Sequence, residues 1–179
     1  YVDGIDSRWD VQHLLDKLPH LDAFFATISG PALERFARPG CPSAFAPNPV
    51  EPSIERIRAF ETQTYLHDIL FIGRDKKRSE RVAFLEKIEE LLPPARLGVY
   101  GSLGQPRTFG KEKDLILAGS RMGLNYSIYN DTPLGTSDRI SALIGNGLLV
   151  LCPESIGYHE LFSEEEMVFF IDADDLAEK

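Results

Sequence analysis

The sequence predicts an α/β protein in which a parallel sheet carries helices on both faces. Three observations lead there. From Tyr65 onward, short apolar runs alternate with segments of helical period. Several runs, such as Leu148-Leu149-Val150-Leu151, are apolar at every position, as strands buried on both faces must be. The residues just past these runs are small or polar, which suits loops leading from strand to helix.

The elements follow in order. Ser7 to Leu18 sets Val11, Leu14, Leu15 and Leu18 at helical spacing. After Pro19, Asp22 to Thr27 reads as a short buried strand. Pro31 to Ala37 is expected to be helical, with proline in its first turn and Gly40 just past its end. Ser43 to Ala46 is another short strand. The prolines of Pro47-Asn48-Pro49-Val50-Glu51-Pro52 can continue neither sheet nor helix, so this stretch reads as a linker. Beyond it, strands are expected at Asp68–Gly73, Leu97–Gly101, Gly123–Ile128, Leu148–Cys152 and Met167–Ile171. Helices are expected at Ser79–Leu92, with Val82, Leu85, Ile88 and Leu92 on one face, and at Lys111–Ser120, Asp138–Gly145 and Gly157–Phe162. The chain should therefore divide into a closing segment of one α/β unit (1–47), a linker (48–64) and a second α/β domain (65–179).

Composition bounds the function. The 179 residues are 43% hydrophobic and 26% charged, as in a soluble globular protein. No apolar run nears the ~20 residues that span a bilayer, and no signal segment opens the chain. It begins at Tyr1 and stops at Lys179 soon after a strand-like run, so both ends are expected to be cuts in a longer polypeptide. A net charge of −9 argues against a nucleic-acid groove but permits a nucleotide, for which a few local cations suffice. Cys41 and Cys152 lack metal-type spacing and read as reduced cytoplasmic thiols. The four histidines are scattered, so no metal site is expected.

Open parallel sheets bind ligands beyond the carboxyl ends of their strands. Here those ends carry Gly73-Arg74, Gly101-Ser102, Asn125 and Tyr126, and Thr136-Ser137-Asp138-Arg139 opens a helix. Glycine lets a ligand approach the backbone, arginine grips phosphate oxygens, and a helix start offers free N–H groups with partial positive charge. Each piece also has a plain structural reading: glycines that end strands, Ser137 as an N-cap, Asp138 as a first-turn acid, Arg74 in a solvated charge run. A buried Asn125 is harder to explain without a partner. Dinucleotide, P-loop and nucleophile-elbow motifs are absent.

These residues resemble GT-B type glycosyltransferases, in the group related to the spore-maturation protein CgeB. The resemblance runs over about residues 20 to 175. It rests on Asp22–Thr27, Gly40-Cys41-Pro42, Pro47–Val50, Asp68–Arg74, Val99-Tyr100-Gly101, Gly123-Leu124-Asn125, Ser137 through Gly147, and Glu160-Leu161-Phe162 with Val168-Phe169-Phe170. It implies two Rossmann-like domains facing across a cleft, with this chain holding the carboxy-terminal, donor-binding domain and the end of the amino-terminal one. It further implies transfer of a sugar from a nucleotide-diphosphate sugar, without a metal or other cofactor, to a saccharide, lipid-linked or protein acceptor. Surface polysaccharide or glycoconjugate synthesis is the setting by analogy, with a cytoplasmic location that allows peripheral attachment to the inner membrane. By position, Arg139 and Arg74 would be the catalytic cations. Thr136, Ser137, Asp138, Arg139, Gly73 and Arg74 would surround the diphosphate. Tyr100, Gly101 and Ser102 would lie near the base or ribose, and Asn125 on the pocket floor.

One departure stands out. Retaining GT-B enzymes often carry two glutamates, but aligning on Gly147 puts Leu134 and Ala142 at those places. The stereochemical outcome stays open, and a general base is expected on the other domain, so the fragment alone should be inactive. A non-catalytic nucleotide-sugar-binding module and a sugar-nucleotide epimerase of GT-B architecture are the alternatives.

Overall fold

The computed structural model describes residues 8–75, 80–93 and 96–179. In chain order the elements are α1 (Arg8–Lys17), β1 (Phe24–Ala26), α2 (Pro31–Glu34), β2 (Ser43–Phe45), β3 (His67–Ile72), α3 (Glu80–Leu91), β4 (Leu97–Tyr100), α4 (Gly110–Ala118), β5 (Ser120–Leu124), α5 (Asp138–Gly145), β6 (Leu149–Pro153), β7 (Met167–Phe170) and α6 (Ala173–Glu178). β1 and β2 form a parallel pair. The other five strands form one parallel sheet in the order β4-β3-β5-β6-β7. The fold is thus α/β and Rossmann-like, as expected.

Strand alternation sorts the core into two layers. Ile69, Phe71, Leu124, Leu151 and Phe170 face one side, against Leu85 and Ile88 of α3 and Leu176 of α6. Leu70, Val150 and Cys152 face the other, against Leu117 of α4 and Ile140 and Leu143 of α5. Complete burial of one such Leu or Phe contributes roughly 1.5–3 kcal/mol. Gly123 brings α5 close to the sheet, because a Cβ there would fall 2.4 Å from Leu143.

A third core holds Leu14, Leu18, Phe24, Leu33, Phe36 and Cys41 around β1 and β2. Phe45 packs against both this core and the α4/α5 layer. The proline-rich connection is pinned along its length. Asn146 Oδ1 accepts from Ile57 N at 3.0 Å, Asn146 O accepts from Ala59 N at 3.0 Å, and Thr62 Oγ1 donates to Ala118 O at 2.9 Å.

Several expectations need correcting. β5 lies at Ser120–Leu124 rather than Gly123–Ile128, because its pairing with β3 joins Ser120 to His67 and Met122 to Ile69. Past Leu124 the chain turns: Ser127 N donates to Asn130 Oδ1 (2.8 Å), and Asn130 Nδ2 donates to Ser127 O (3.1 Å). Tyr126 leaves the sheet and stacks on Phe84, with ring centroids 3.9 Å apart. The helix expected at Gly157–Phe162 is two 3-10 turns, Glu154–Ile156 and Tyr158–Glu160, broken by Gly157 at φ 83°. α2 is shorter than expected, and the expected helix starts at Ser7 and Ser79 lie outside the described residues.

α6 has no counterpart in the sequence reading. Its N-cap Asp172 accepts from Asp175 N at 2.9 Å. Asp175 Oδ2 accepts from Ile171 N at 2.8 Å, and Lys179 Nζ donates to Phe169 O at 2.5 Å, along β7 at the margin of the sheet.

Candidate functional site

The strand order reverses beside β3: the chain runs from β3 out to β4, then returns past β3 to β5. Such a reversal opens a crevice at the carboxyl ends of the two flanking strands. Arg139, in the first turn of α5, occupies it. Its Nε donates to Ile72 O at the end of β3 (2.8 Å), and its Nη1 donates to Tyr126 O just past β5 (3.0 Å). The guanidinium carbon stands 4.9 Å from the centroid of the Phe71 ring. Gly73 makes this seat possible, since a Cβ there would lie 2.6 Å from Phe71 Cζ and 2.8 Å from Arg139 Nη2.

The β3 and β4 ends are bound together as well. Gly73 N donates to Tyr100 O at 3.0 Å, and a Cβ on Gly101 would meet Gly73 O at 2.5 Å. The Asp75 carboxylate accepts from Ser102 Oγ and, at 3.0 Å, from Leu103 N. Arg81 of α3 reaches under this loop and donates through Nη2 to Arg74 O. Arg81 is only 3% exposed, and its Cζ lies 5.5 Å from the same Phe71 ring. A buried and a half-buried guanidinium group therefore share one aromatic side chain.

Burial lowers the affinity of both for their protons. For Arg81, desolvation is the larger cause, opposed by the Asp75 carboxylate and reinforced by Arg74. For Arg139, desolvation followed by the charge of Arg81 pushes the pKa down to about 10. A guanidinium in an apolar crevice still holds its charge at neutral pH.

Ser137 is the N-cap of α5 but makes no side-chain capping bond, and its Oγ is buried with no partner among the described residues. Asn125, 1% exposed, begins the turn after β5, with Asn125 N donating to Leu151 O at 2.9 Å. Its Nδ2 makes a weak contact to Cys152 Sγ at 3.6 Å, and its Oδ1 has no partner among the described residues.

The residues singled out in the sequence thus separate into three groups. Gly73, Arg74, Gly101, Ser102, Asn125, Ser137 and Arg139 gather around the β3, β4 and β5 ends. Thr136 and Asp138 face the other way, toward the proline-rich connection: Thr136 Oγ1 donates to Asn48 Oδ1 (2.7 Å), and Asn48 Nδ2 donates to Asp138 Oδ1 (2.7 Å). Tyr100 contributes backbone to the rim, but its hydroxyl lies 3.0 Å from Nε2 of His67, at the start of β3. Desolvation lowers the His67 pKa and raises that of Tyr100. Arg74 is exposed.

Sequence reasoning missed Arg81, Phe71, Asp75 and Asn48. Arg81 had a legible signal, because it falls on the same helical stripe as Leu85, Ile88 and Leu92, where a cation is out of place. The others bond through tertiary contacts that no spacing reveals.

Among the described residues no group of three or more His, Cys, Asp or Glu side chains could hold a metal ion. Nor is any helix long and apolar enough to cross a membrane. Compared with known protein families, residues 77–179 match a family described as glycosyl transferase-like. No curated protein matches the chain.

Proposed function

Because the chain belongs to this glycosyl transferase-like family, we propose that it binds a nucleotide-diphosphate sugar as the donor side of a two-domain GT-B transferase. In this reading residues 65–179 form the donor domain, 48–64 the interdomain connection, and 1–47 the end of the acceptor-side domain. The acceptor is a saccharide, lipid-linked or protein group in cytoplasmic polysaccharide or glycoconjugate assembly.

The observation that carries the reading is the seating of Arg139 in the crevice between β3 and β5, next to Gly73 and in the first turn of α5. When a glycosyl group departs, negative charge develops on the diphosphate. Donors that are already oriented and dry stabilise that charge without reorganising. Arg139 is held in place by two carbonyls and has N–H groups to spare, since a guanidinium carries five. The unpartnered Ser137 hydroxyl adds a further donor, and exposed Arg74 can swing onto the outer phosphate. Arginine charge here does the work that a divalent cation does in metal-assisted transfer.

Calorimetric titration of the protein with uridine and guanosine diphosphates tests the proposal. Binding should be measurable for the wild type, and Arg139→Ala should weaken it at least roughly tenfold. Unchanged affinity in the variant would remove Arg139 from the site. A second reading, a binding module without transfer, draws on Leu134 and Ala142, apolar where retaining enzymes carry carboxylates. Consumption of the sugar donor by the longer protein decides between them.

A further inference from the structure

We propose that the groove along the outer edge of β7 is a binding site for a linear aliphatic polyamine. It lies at the opposite margin of the sheet from β4, two strands beyond β5. It therefore stands or falls independently of the donor-site reading.

The groove measures about 490 Å³, within the roughly 300–1,000 Å³ of small-molecule sites. β7 contributes Met167, Val168 and Phe169 to it. The segment returning from β6 contributes Glu154, His159, Phe162 and Glu164, and α6 with the residue after it contributes Asp175 and Lys179. The His159 ring stands edge-on to Phe169, with centroids 6.1 Å apart. A ligand here meets apolar and aromatic side chains beside a charged rim.

That rim carries an excess of negative charge. Glu154, Glu164 and Asp175 face a single lysine, Lys179. The lysine is already engaged: its Nζ donates to Phe169 O at 2.5 Å and lies 3.6 Å from Asp175 Oδ2. The side chains of Glu154 and Glu164 have no hydrogen bond or ion pair among the described residues. The seat of Lys179 indicates which group the groove accepts, an ammonium held between a carboxylate and a strand carbonyl.

Glu154 follows β6 and Glu164 precedes β7, and the two strands are parallel. The two free carboxylates therefore lie toward opposite ends of the four-residue strand β7. At about 3.3 Å per residue that is a span of roughly 13 Å. One compact cation cannot serve both. Amines spaced along a methylene chain can, while the methylenes cover Val168 and Phe169, as lysine stems cover apolar surface.

The test is NMR of the protein with methyl-labelled methionine, titrated with spermidine. Of the two methionines, Met167 lines the groove and Met122 sits in β5. The Met167 signal should move to saturation while that of Met122 stays put. Octanediol, an uncharged chain of similar build, should move neither. Glu154→Gln and Glu164→Gln, both at exposed positions, should each weaken spermidine roughly two- to fivefold. Glu89→Gln, exposed on α3, should change nothing. If the Met167 signal does not move, or if octanediol moves it equally, the proposal falls. An equal loss with Glu89→Gln would reduce the binding to the net charge of −9 and overturn it. So would the same affinity in the Glu154→Gln/Glu164→Gln double variant. Tighter binding of trilysine than of spermidine also overturns it, because the groove then belongs to a basic protein segment.

Discussion

Gly73 shows how much a single missing side chain controls. It lies within contact distance of both the Phe71 ring and the Arg139 guanidinium, and Phe71 is 0% exposed. A methyl group there must shift the ring, the arginine or both. Gly73→Ala should therefore cost about 1–3 kcal/mol in urea unfolding and weaken nucleoside-diphosphate binding in calorimetry at the same time. A stability loss with intact binding would mean that Phe71 moved instead. At this scale the sequence was half legible. Gly73, Ser137 and Arg139 stand where residue type and strand-end position put them. Thr136 and Asp138 turn toward Asn48 instead, because a hydroxyl and a carboxylate at a helix start serve an internal hydrogen bond as readily as a ligand.

Among the elements, α5 depends most on residues distant in the chain. Asn48, 7% exposed, contacts its first turn through every polar group it has. Its N–H donates to Thr136 Oγ1 (3.2 Å), its C=O accepts from Ser141 Oγ (2.9 Å), and its amide bonds to Thr136 and Asp138. Asn48→Ala removes the two side-chain bonds, one of them to the buried Thr136 hydroxyl, which should lower stability by about 1–3 kcal/mol. Because Asn48 steadies the turn that presents Arg139, nucleoside-diphosphate affinity should fall as well, whereas exposed Glu89→Ala should change neither. Helix α5 was legible to its exact bounds, since polar opening, apolar stripe and glycine end all agree. β5 was not, because its register comes from pairing with β3 and its apolar letters run on into a turn. α6 is brief and acidic, and what fixes it is an N-cap together with contacts to α3 and β7.

Across the whole molecule, the two cysteines report on separate cores. Cys41 lies in the core around β1 and β2, and Cys152 in the layer under α4 and α5. Both are 0% exposed, and burial pushes the Cys152 thiol up to about 12. Iodoacetamide at pH 8 should label neither in the folded protein. The cores are joined by Phe45, by Ser29 N donating to Pro133 O (2.8 Å) and by Thr136 N donating to Thr27 O (2.8 Å). Both thiols should therefore become reactive at one urea midpoint, as a single cooperative unit requires. Two midpoints would show that the smaller unit opens alone. Alternating strands and helices were legible in the sequence, but the order β4-β3-β5-β6-β7 was not. Strand neighbours are chosen by contacts between residues far apart in the chain, and the crevice that seats Arg139 exists only once that order is set.

The charged tail of α6 has a consequence for the protein's behaviour in a crowded solution. A parallel sheet that stops at an outer strand offers a row of amide groups to any foreign strand, the usual route to fibrous aggregates. On β7, the Phe169 carbonyl is taken by a lysine ammonium, and the neighbouring Ile171 amide is taken by an aspartate. An incoming chain would have to strip away both charges before it could pair. The outermost strand is thereby shielded against recruiting copies of itself.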